Sequence, residues 1–163
     1  MSEQRERPTE YSEEEWELLL ELPEAVVIAA TSAEADSMRR TVDEGLAGRH
    51  AIDAGRHSDS PLVRRIATEL RAANSDGPRP AAVEFNDRAE GLADVLAASR
   101  EAAAVLKKAA PADATAYRQW LTAIAEQVCG AAKSGGFLGL GGTQVSESEQ
   151  RFLADLAAGL GVA

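Results

Sequence analysis

The sequence is poor in the residues that most often carry chemistry in proteins. Its 163 residues include one cysteine and two histidines, and aromatic residues make up only 4% of the chain. Cys129 cannot form a disulfide within the chain, and its apolar helical surroundings favour a small buried residue over a reactive thiol. Because aromatic side chains are so few, we expect Leu, Val, Ile and Ala to build the core.

Positive charge and long apolar runs are also scarce. The chain has 17 Lys and Arg residues against 27 Asp and Glu residues, a net charge of −10. Nucleic acids and anionic membranes bind basic surfaces, so we expect neither as a partner. No apolar run approaches the roughly 20 residues of a membrane-spanning helix, so we expect no membrane insertion. Residues 1–10 lack the apolar centre of a signal peptide, so we expect a cytoplasmic protein.

Alanine and helical spacing are what the sequence does have. Hydrophobic residues make up 45% of the chain, and alanine has the best helix propensity. Apolar residues recur every three or four positions in six stretches: Trp16/Leu19/Leu20/Leu22, Ala35/Met38/Val42/Leu46, Leu62/Ile66/Leu70/Ala73, Leu92/Val95/Leu96/Ser99/Ala103/Leu106, Tyr117/Leu121/Ile124/Val128/Ala132 and Phe152/Leu153/Leu156/Leu160. Short loops make sequential helices antiparallel neighbours, so the sequence predicts an all-α bundle of about six helices.

Capping residues predict where several helices begin. A Ser or Thr followed three residues later by Glu is a capping box, and the chain has three, at Ser12/Glu15, Thr31/Glu34 and Ser146/Glu149. Ser60 followed by Pro61 predicts another start, because proline's missing amide costs nothing in the first helical turn.

Proline and glycine predict where helices end. Pro23 should kink or break the first helix, and Pro111 should end or reset the fourth apolar stretch. The second stretch should weaken near Gly45, Gly48 or Gly55. Gly159 and Gly161 should fray the C-terminal helix.

The domain organisation follows from these boundaries. Residues 1–11 are predicted to form a flexible, charged lead-in, and residues 12–163 a single helical domain. Residues 74–80, rich in Pro, Gly, Ser and Asn, are predicted to be the linker between two halves. We expect a weak internal repeat to relate those halves.

A first candidate site contains both histidines. If residues 50–57 are helical, His50, Asp53 and His57 lie on one face, at spacings i, i+3 and i+7. Two imidazoles and a carboxylate could hold Zn²⁺ or Fe²⁺. The alternative is a solvated helix end, because two glycines weaken the helix and two arginines crowd it.

A second candidate site is a glycine-rich turn at residues 134–143. Backbone amides in such a turn could hold an anion or another small ligand; the glycines concerned are Gly135, Gly136, Gly139, Gly141 and Gly142. The spacing matches neither a P-loop nor a dinucleotide-binding fingerprint. The favoured interpretation is structural: a helix cap followed by tight turns that let neighbouring apolar residues reach the core.

An acidic run marks the first predicted helix, at Glu13, Glu14, Glu15, Glu17, Glu21 and Glu24. Its simplest explanation is the positive end of the helix dipole together with solvation. The functional alternative is a docking face for a basic partner. Trp16 and Trp120 fit helical stripes, and we expect each to pack at a helix seam with its indole N–H near the surface.

Part of the second half resembles a known helical superfamily. The segments 124–136, 145–149 and 152–162 resemble the tellurite-resistance protein B-like superfamily, in which an alanine-rich helix meets a short Asp-Gly turn before a capped helix. The turn Gly-Gly-Phe-Leu-Gly-Leu-Gly-Gly at 135–142, with Trp120-Leu121, looks like an uncharacterised bacterial family of all-helical proteins. The resemblance implies an all-α, bacterial, cytoplasmic protein that is linked to stress, and it implies no reaction. Lys133-Ser134-Gly135 stands where the superfamily has Ala-Asp-Gly, so only Glu149 matches its acidic residues.

No catalytic constellation or cofactor motif is recognisable in the sequence. We therefore expect a non-enzymatic module without a cofactor, which binds a protein partner or associates with itself. The alternative is a metal- or ligand-binding protein that uses His50, Asp53 and His57 or the turn between Gly135 and Gly142.

Overall fold

A computed structural model of the protein describes residues 7–33, 38–74, 87–131 and 147–162, and for 38–44 and 131 it describes the backbone alone. Within these ranges the chain forms six α-helices and two short 3-10 helices, and contains no strand. The prediction of an all-α bundle of about six helices is confirmed. None of the helices in the described ranges is long and apolar enough to cross a membrane.

The helix bounds match most of the predicted stretches. The α-helices are α1 Glu13–Ser32, α2 Met38–Ala54, α3 Pro61–Asn74, α4 Arg88–Val105, α5 Pro111–Ala131 and α6 Glu147–Leu160. A 3-10 turn, Gly55–His57, follows α2, and a second, Leu106–Lys108, follows α4.

Helix α5 lies at the centre of the bundle. It packs against α1, α2, α3 and α6, while α4 lies against α1 and α6. The predicted stripe on α5 is confirmed at Tyr117, Leu121, Ile124 and Val128, which are all fully buried. Its last member, Ala132, lies outside the described residues. Burying an apolar side chain of this size contributes roughly 1.5–3 kcal/mol, so α5 supplies much of the stabilising contact.

Side-chain caps begin three helices. Ser12 Oγ accepts from the Glu15 amide at 3.1 Å and Glu15 Oε2 accepts from the Ser12 amide at 2.8 Å, which confirms the first capping box. Asp87 caps α4 by accepting from the Glu90 amide at 3.1 Å. Helix α3 begins at Pro61, as predicted, and Ser60 Oγ accepts from the Val63 amide at 3.3 Å. Each cap satisfies an amide that the helix itself leaves without an acceptor.

The predicted break at Pro23 does not occur, and α1 is assigned as helix from Glu13 to Ser32. Proline has no amide hydrogen, so the Leu19 carbonyl four residues earlier loses its usual helical donor. In the structure, the hydroxyl of Tyr117 on α5 donates to the Leu19 carbonyl oxygen at 2.9 Å. A donor from a neighbouring helix thus replaces the missing amide, and the helix continues through the proline.

The second predicted capping box is wrong at Thr31. This residue lies inside α1, and its hydroxyl donates to the Val27 carbonyl at 2.9 Å rather than accepting from an amide ahead of it. Glu34 lies outside the described residues. A threonine hydroxyl can bond back to the carbonyl four residues earlier, so it does not have to begin a helix.

Tyr11 is a further correction, because it falls within the predicted flexible lead-in. Its side chain is buried, and its ring lies 5.6 Å from that of Trp16 between centroids. Its backbone amide donates to the Pro8 carbonyl. The ordered domain therefore begins before Ser12, since aromatic burial holds the chain just ahead of the cap.

The predicted apolar stripe on α2 is wrong at Leu46. This leucine is 51% exposed, whereas Gly48 and Ala51 of the same helix are buried against the bundle. A β-carbon at Gly48 would lie 2.5 Å from Val27 Cγ1 and 3.2 Å from Val128 Cγ2. Close approach of α2 to α1 and α5 is therefore achieved with small residues. Of the three glycines predicted as weak points, the helix continues through Gly45 and Gly48 and ends just before Gly55, where the 3-10 turn begins.

Helix α6 ends with a defined cap, not the predicted frayed turn. Gly161 has φ +74°, its amide donates to the Ala158 carbonyl, and the Val162 amide donates to the Ala157 carbonyl. This pair of bonds is the Schellman arrangement, which needs a left-handed residue such as glycine.

Replacing Tyr117 by phenylalanine should remove the substitute donor and leave the buried Leu19 carbonyl unsatisfied. We expect Tyr117→Phe to lower the free energy of unfolding by about 1–3 kcal/mol, the cost of an orphaned buried acceptor. Urea denaturation followed by circular dichroism measures this. Tyr11→Phe, which also removes one phenolic hydroxyl, is the matched control. It should change stability by less than about 0.5 kcal/mol, because no described residue forms a hydrogen bond with that hydroxyl and no partner is left unsatisfied.

Two glycine substitutions in α2 should have opposite effects on stability. Gly48→Ala should destabilise by about 1–3 kcal/mol, because its methyl group would overlap the stiff side chain of Val27. Gly45→Ala meets no described atom within 4 Å and should stabilise by roughly 0.5–1 kcal/mol through helix propensity. Equal changes in Tm for the two variants would contradict the close packing at Gly48.

Candidate functional site

The helical face expected to carry His50, Asp53 and His57 does not continue to its last member. Helix α2 ends at Ala54, and the chain tightens into a 3-10 turn from Gly55 to His57. The turn changes the angle between successive side chains, so the i+7 position no longer falls on the same face. His50 and His57 are both exposed. Their imidazoles are therefore not held together in a pocket.

The Asp53 carboxylate is occupied by two arginines. Arg56 Nε donates to Asp53 Oδ1 at 2.7 Å and Arg56 Nη2 donates to Oδ2 at 2.9 Å. Arg71 Nη1 on α3 donates to Oδ1 at 2.9 Å. Hydrogen bonds from Arg56, then those from Arg71, hold the pKa of Asp53 well below its usual range. The charge of this carboxylate is thus compensated by guanidinium groups that tie the end of α2 to α3.

The predicted three-residue metal site is not assembled. Within the residues whose positions are described, no group of three or more His, Cys, Asp or Glu side chains is arranged to hold a metal ion. The spacing of Asp53 and Arg56 is that of an ion pair on adjacent helical turns, which the sequence could have indicated. The contribution of Arg71, 18 residues from Asp53, carries no local signal.

Trp120 of α5 holds the end of α2, the segment between His50 and His57, against the bundle. Its indole Nε1 donates to the Ala51 carbonyl at 3.1 Å. Ala51 has one of the last four carbonyls of α2, which lack helical donors. A β-carbon at Gly55 would lie 2.7 Å from the Trp120 ring, so only glycine fits where the helix turns. The expected surface position of the Trp120 N–H is wrong, because this donor caps a helix in the interior.

Trp16 also departs from expectation. Its indole nitrogen is buried and has no hydrogen-bond partner in the part of the chain that the structure describes. The guanidinium carbon of Arg65 lies 5.7 Å from the ring centroid, a cation–π arrangement. Trp16 therefore contributes through its ring contacts with Tyr11 and Arg65.

The acidic run on α1 divides into paired and unpaired groups. Lys108 Nζ donates to both carboxylate oxygens of Glu15, at 2.7 and 2.8 Å. This hydrogen bond, followed by the one from the Ser12 amide, lowers the pKa of Glu15. Asn74 Nδ2 donates to Glu24 at 3.1 Å. Glu15 and Glu24 are thus used to hold α1 against its neighbours.

The other four glutamates of the run are exposed: Glu13, Glu14, Glu17 and Glu21. No side chain in the described ranges forms an ion pair or hydrogen bond with these four carboxylates. They form an acidic face along the first part of α1, which we call the α1 acidic face. Its charge is available to solvent or to a binding partner.

The glycine-rich turn lies outside the described residues. This applies to Gly135, Gly136, Gly139, Gly141 and Gly142, and to Ser146 of the third capping box. Glu149, which would complete that box, is 2% exposed within α6. Cys129 is buried and forms no disulfide, as predicted.

Sequence reasoning missed a third polar link to α5, besides those made by Tyr117 and Trp120. Ser60 Oγ, at the start of α3, donates to Asp113 Oδ1 near the start of α5 at 2.6 Å. The same hydroxyl accepts from the Val63 amide, so one side chain caps α3 and joins it to α5. The capping half of this role is visible in the Ser-Pro motif, whereas the partner 53 residues away is not.

Neutralising Asp53 tests whether this residue is structural. We expect Asp53→Asn to lower the free energy of unfolding at pH 7 by at most about 1 kcal/mol, because exposed ion pairs contribute little. The folded-state pKa is depressed, so this contribution is complete above the unfolded pKa of about 3.9 and disappears as the pH falls further. Urea titrations at several pH values measure the difference.

Asp59→Asn, an exposed neighbour, is the control for Asp53→Asn and should be neutral throughout the same pH range. Zn²⁺ provides an independent arm of the experiment. A Zn²⁺-dependent rise in Tm that Asp53→Asn abolishes would contradict the structural role and revive the metal site.

Comparisons of the chain with protein-family models, with curated proteins and with solved structures found no match. The assignment of a functional surface therefore rests on the geometry of α1 and α2. In that geometry, Asp53 is a structural ion-pair partner, and the α1 acidic face is the candidate surface whose charge the described fold does not use.

Proposed function

We propose that this protein is a non-enzymatic, cytoplasmic interaction module that binds a basic protein segment through the α1 acidic face. The observation that carries the proposal is the row Glu13, Glu17 and Glu21, spaced four residues apart and exposed along one helix. Side chains four apart on a helix are neighbours. Three carboxylates thus stand side by side on the surface.

The row is not explained by helix stability. Carboxylates favour the positive end of the helix dipole only within the first turn, which includes Glu13 but neither Glu17 nor Glu21. Like charges at i and i+4 destabilise a helix by about 0.2–0.5 kcal/mol per pair. Glu17 and Glu21 therefore destabilise the helix slightly, and a bound cationic partner would relieve this repulsion.

The buried side of α1 keeps the α1 acidic face rigid. Leu19, Leu22 and Val26 are buried against the bundle. The capping box and the ion pair from Glu15 to Lys108 hold the start of the helix. A partner would therefore meet a preformed row of charges and would not have to order it.

Self-association through the same face is disfavoured by its charge. Two copies would bring like-charged carboxylates together, and the net charge of −10 adds to this repulsion. The face is matched by a partner segment, helical or extended, that presents a row of lysine or arginine residues. A distant relationship to the tellurite-resistance protein B-like superfamily remains part of this proposal.

Binding of a lysine-rich amphipathic peptide, measured by fluorescence anisotropy, tests the proposal. The triple variant Glu13→Gln, Glu17→Gln, Glu21→Gln should weaken binding by about tenfold, because three exposed ion pairs of about 0.5 kcal/mol each are lost. Binding to the unaltered protein should also weaken as salt rises. A scrambled peptide of the same charge measures how much of the affinity is charge alone.

The matched control neutralises three exposed acids elsewhere, Asp94→Asn, Glu101→Gln and Asp155→Asn. Its net charge equals that of the test variant, so it should bind the peptide almost as the unaltered protein does. Equal weakening in both variants would show that only net charge matters and would overturn the proposal. Sedimentation analysis of the unaltered protein should show a monomer, and a dimer that dissociates in the triple glutamine variant would count equally against it.

A further inference from the structure

We draw no further inference here: the strongest candidate, the exposed surface of α2 around Leu46, carries nothing because the described part of the structure does not show what covers it.

Discussion

The continuation of α1 through Pro23 depends on one hydrogen bond, which connects this helix to α5. Pro23 sits inside α1, where it removes the amide that the Leu19 carbonyl would otherwise accept from. Tyr117 on α5 donates its hydroxyl to that carbonyl at 2.9 Å and is itself fully buried. Burial also raises the pKa of Tyr117, so the hydroxyl keeps its proton and remains a donor. Without this bond, α1 would carry a buried acceptor with no partner in the middle of the core.

Polar side chains on one side of α5 also connect it to other helices. Asp113, Tyr117 and Trp120 occupy positions i, i+4 and i+7, which place them on one side of a helix. Asp113 accepts from Ser60 at the start of α3, Tyr117 donates to α1, and Trp120 donates to the end of α2. A largely aliphatic core tolerates many similar packings, whereas directional bonds to three different helices fix how far each can slide. Helix α5 thus acts as the reference to which the other helices are aligned.

Features that depend on nearby residues could be predicted from the sequence. The Ser12 capping box, the Ser60-Pro61 start and the buried stripe on α5 each follow from residues within a few turns of one another. Pro23 and Trp120 depart from prediction because their partners come from distant parts of the chain. Thr31 departs from it for a local reason, since its hydroxyl bonds back to the Val27 carbonyl four residues earlier. Local rules describe a proline in an isolated helix, and nothing near Pro23 indicates that a tyrosine 94 residues later supplies the missing donor.

The candidate sites likewise combine local features, which the sequence indicates, with contacts from distant residues, which it does not. The spacing of His50, Asp53 and His57 suggested a metal site, but Arg71 approaches Asp53 from another helix and the turn at Gly55 ends the helical register. The α1 acidic face was visible in the sequence as a run of glutamates. Only the structure separates those that bind the fold, such as Glu15, from those that face outward.

A double-mutant cycle between Pro23 and Tyr117 tests the central interaction most directly. In a Pro23→Ala background the amide at position 23 is restored and can bond the Leu19 carbonyl, so the tyrosine hydroxyl has less to supply. Urea denaturation of the four proteins should show Tyr117→Phe costing at least about 1 kcal/mol less with alanine at position 23 than with proline. An equal cost in both backgrounds would show that the hydroxyl does not compensate for the proline, and would contradict the dependence of α1 on α5.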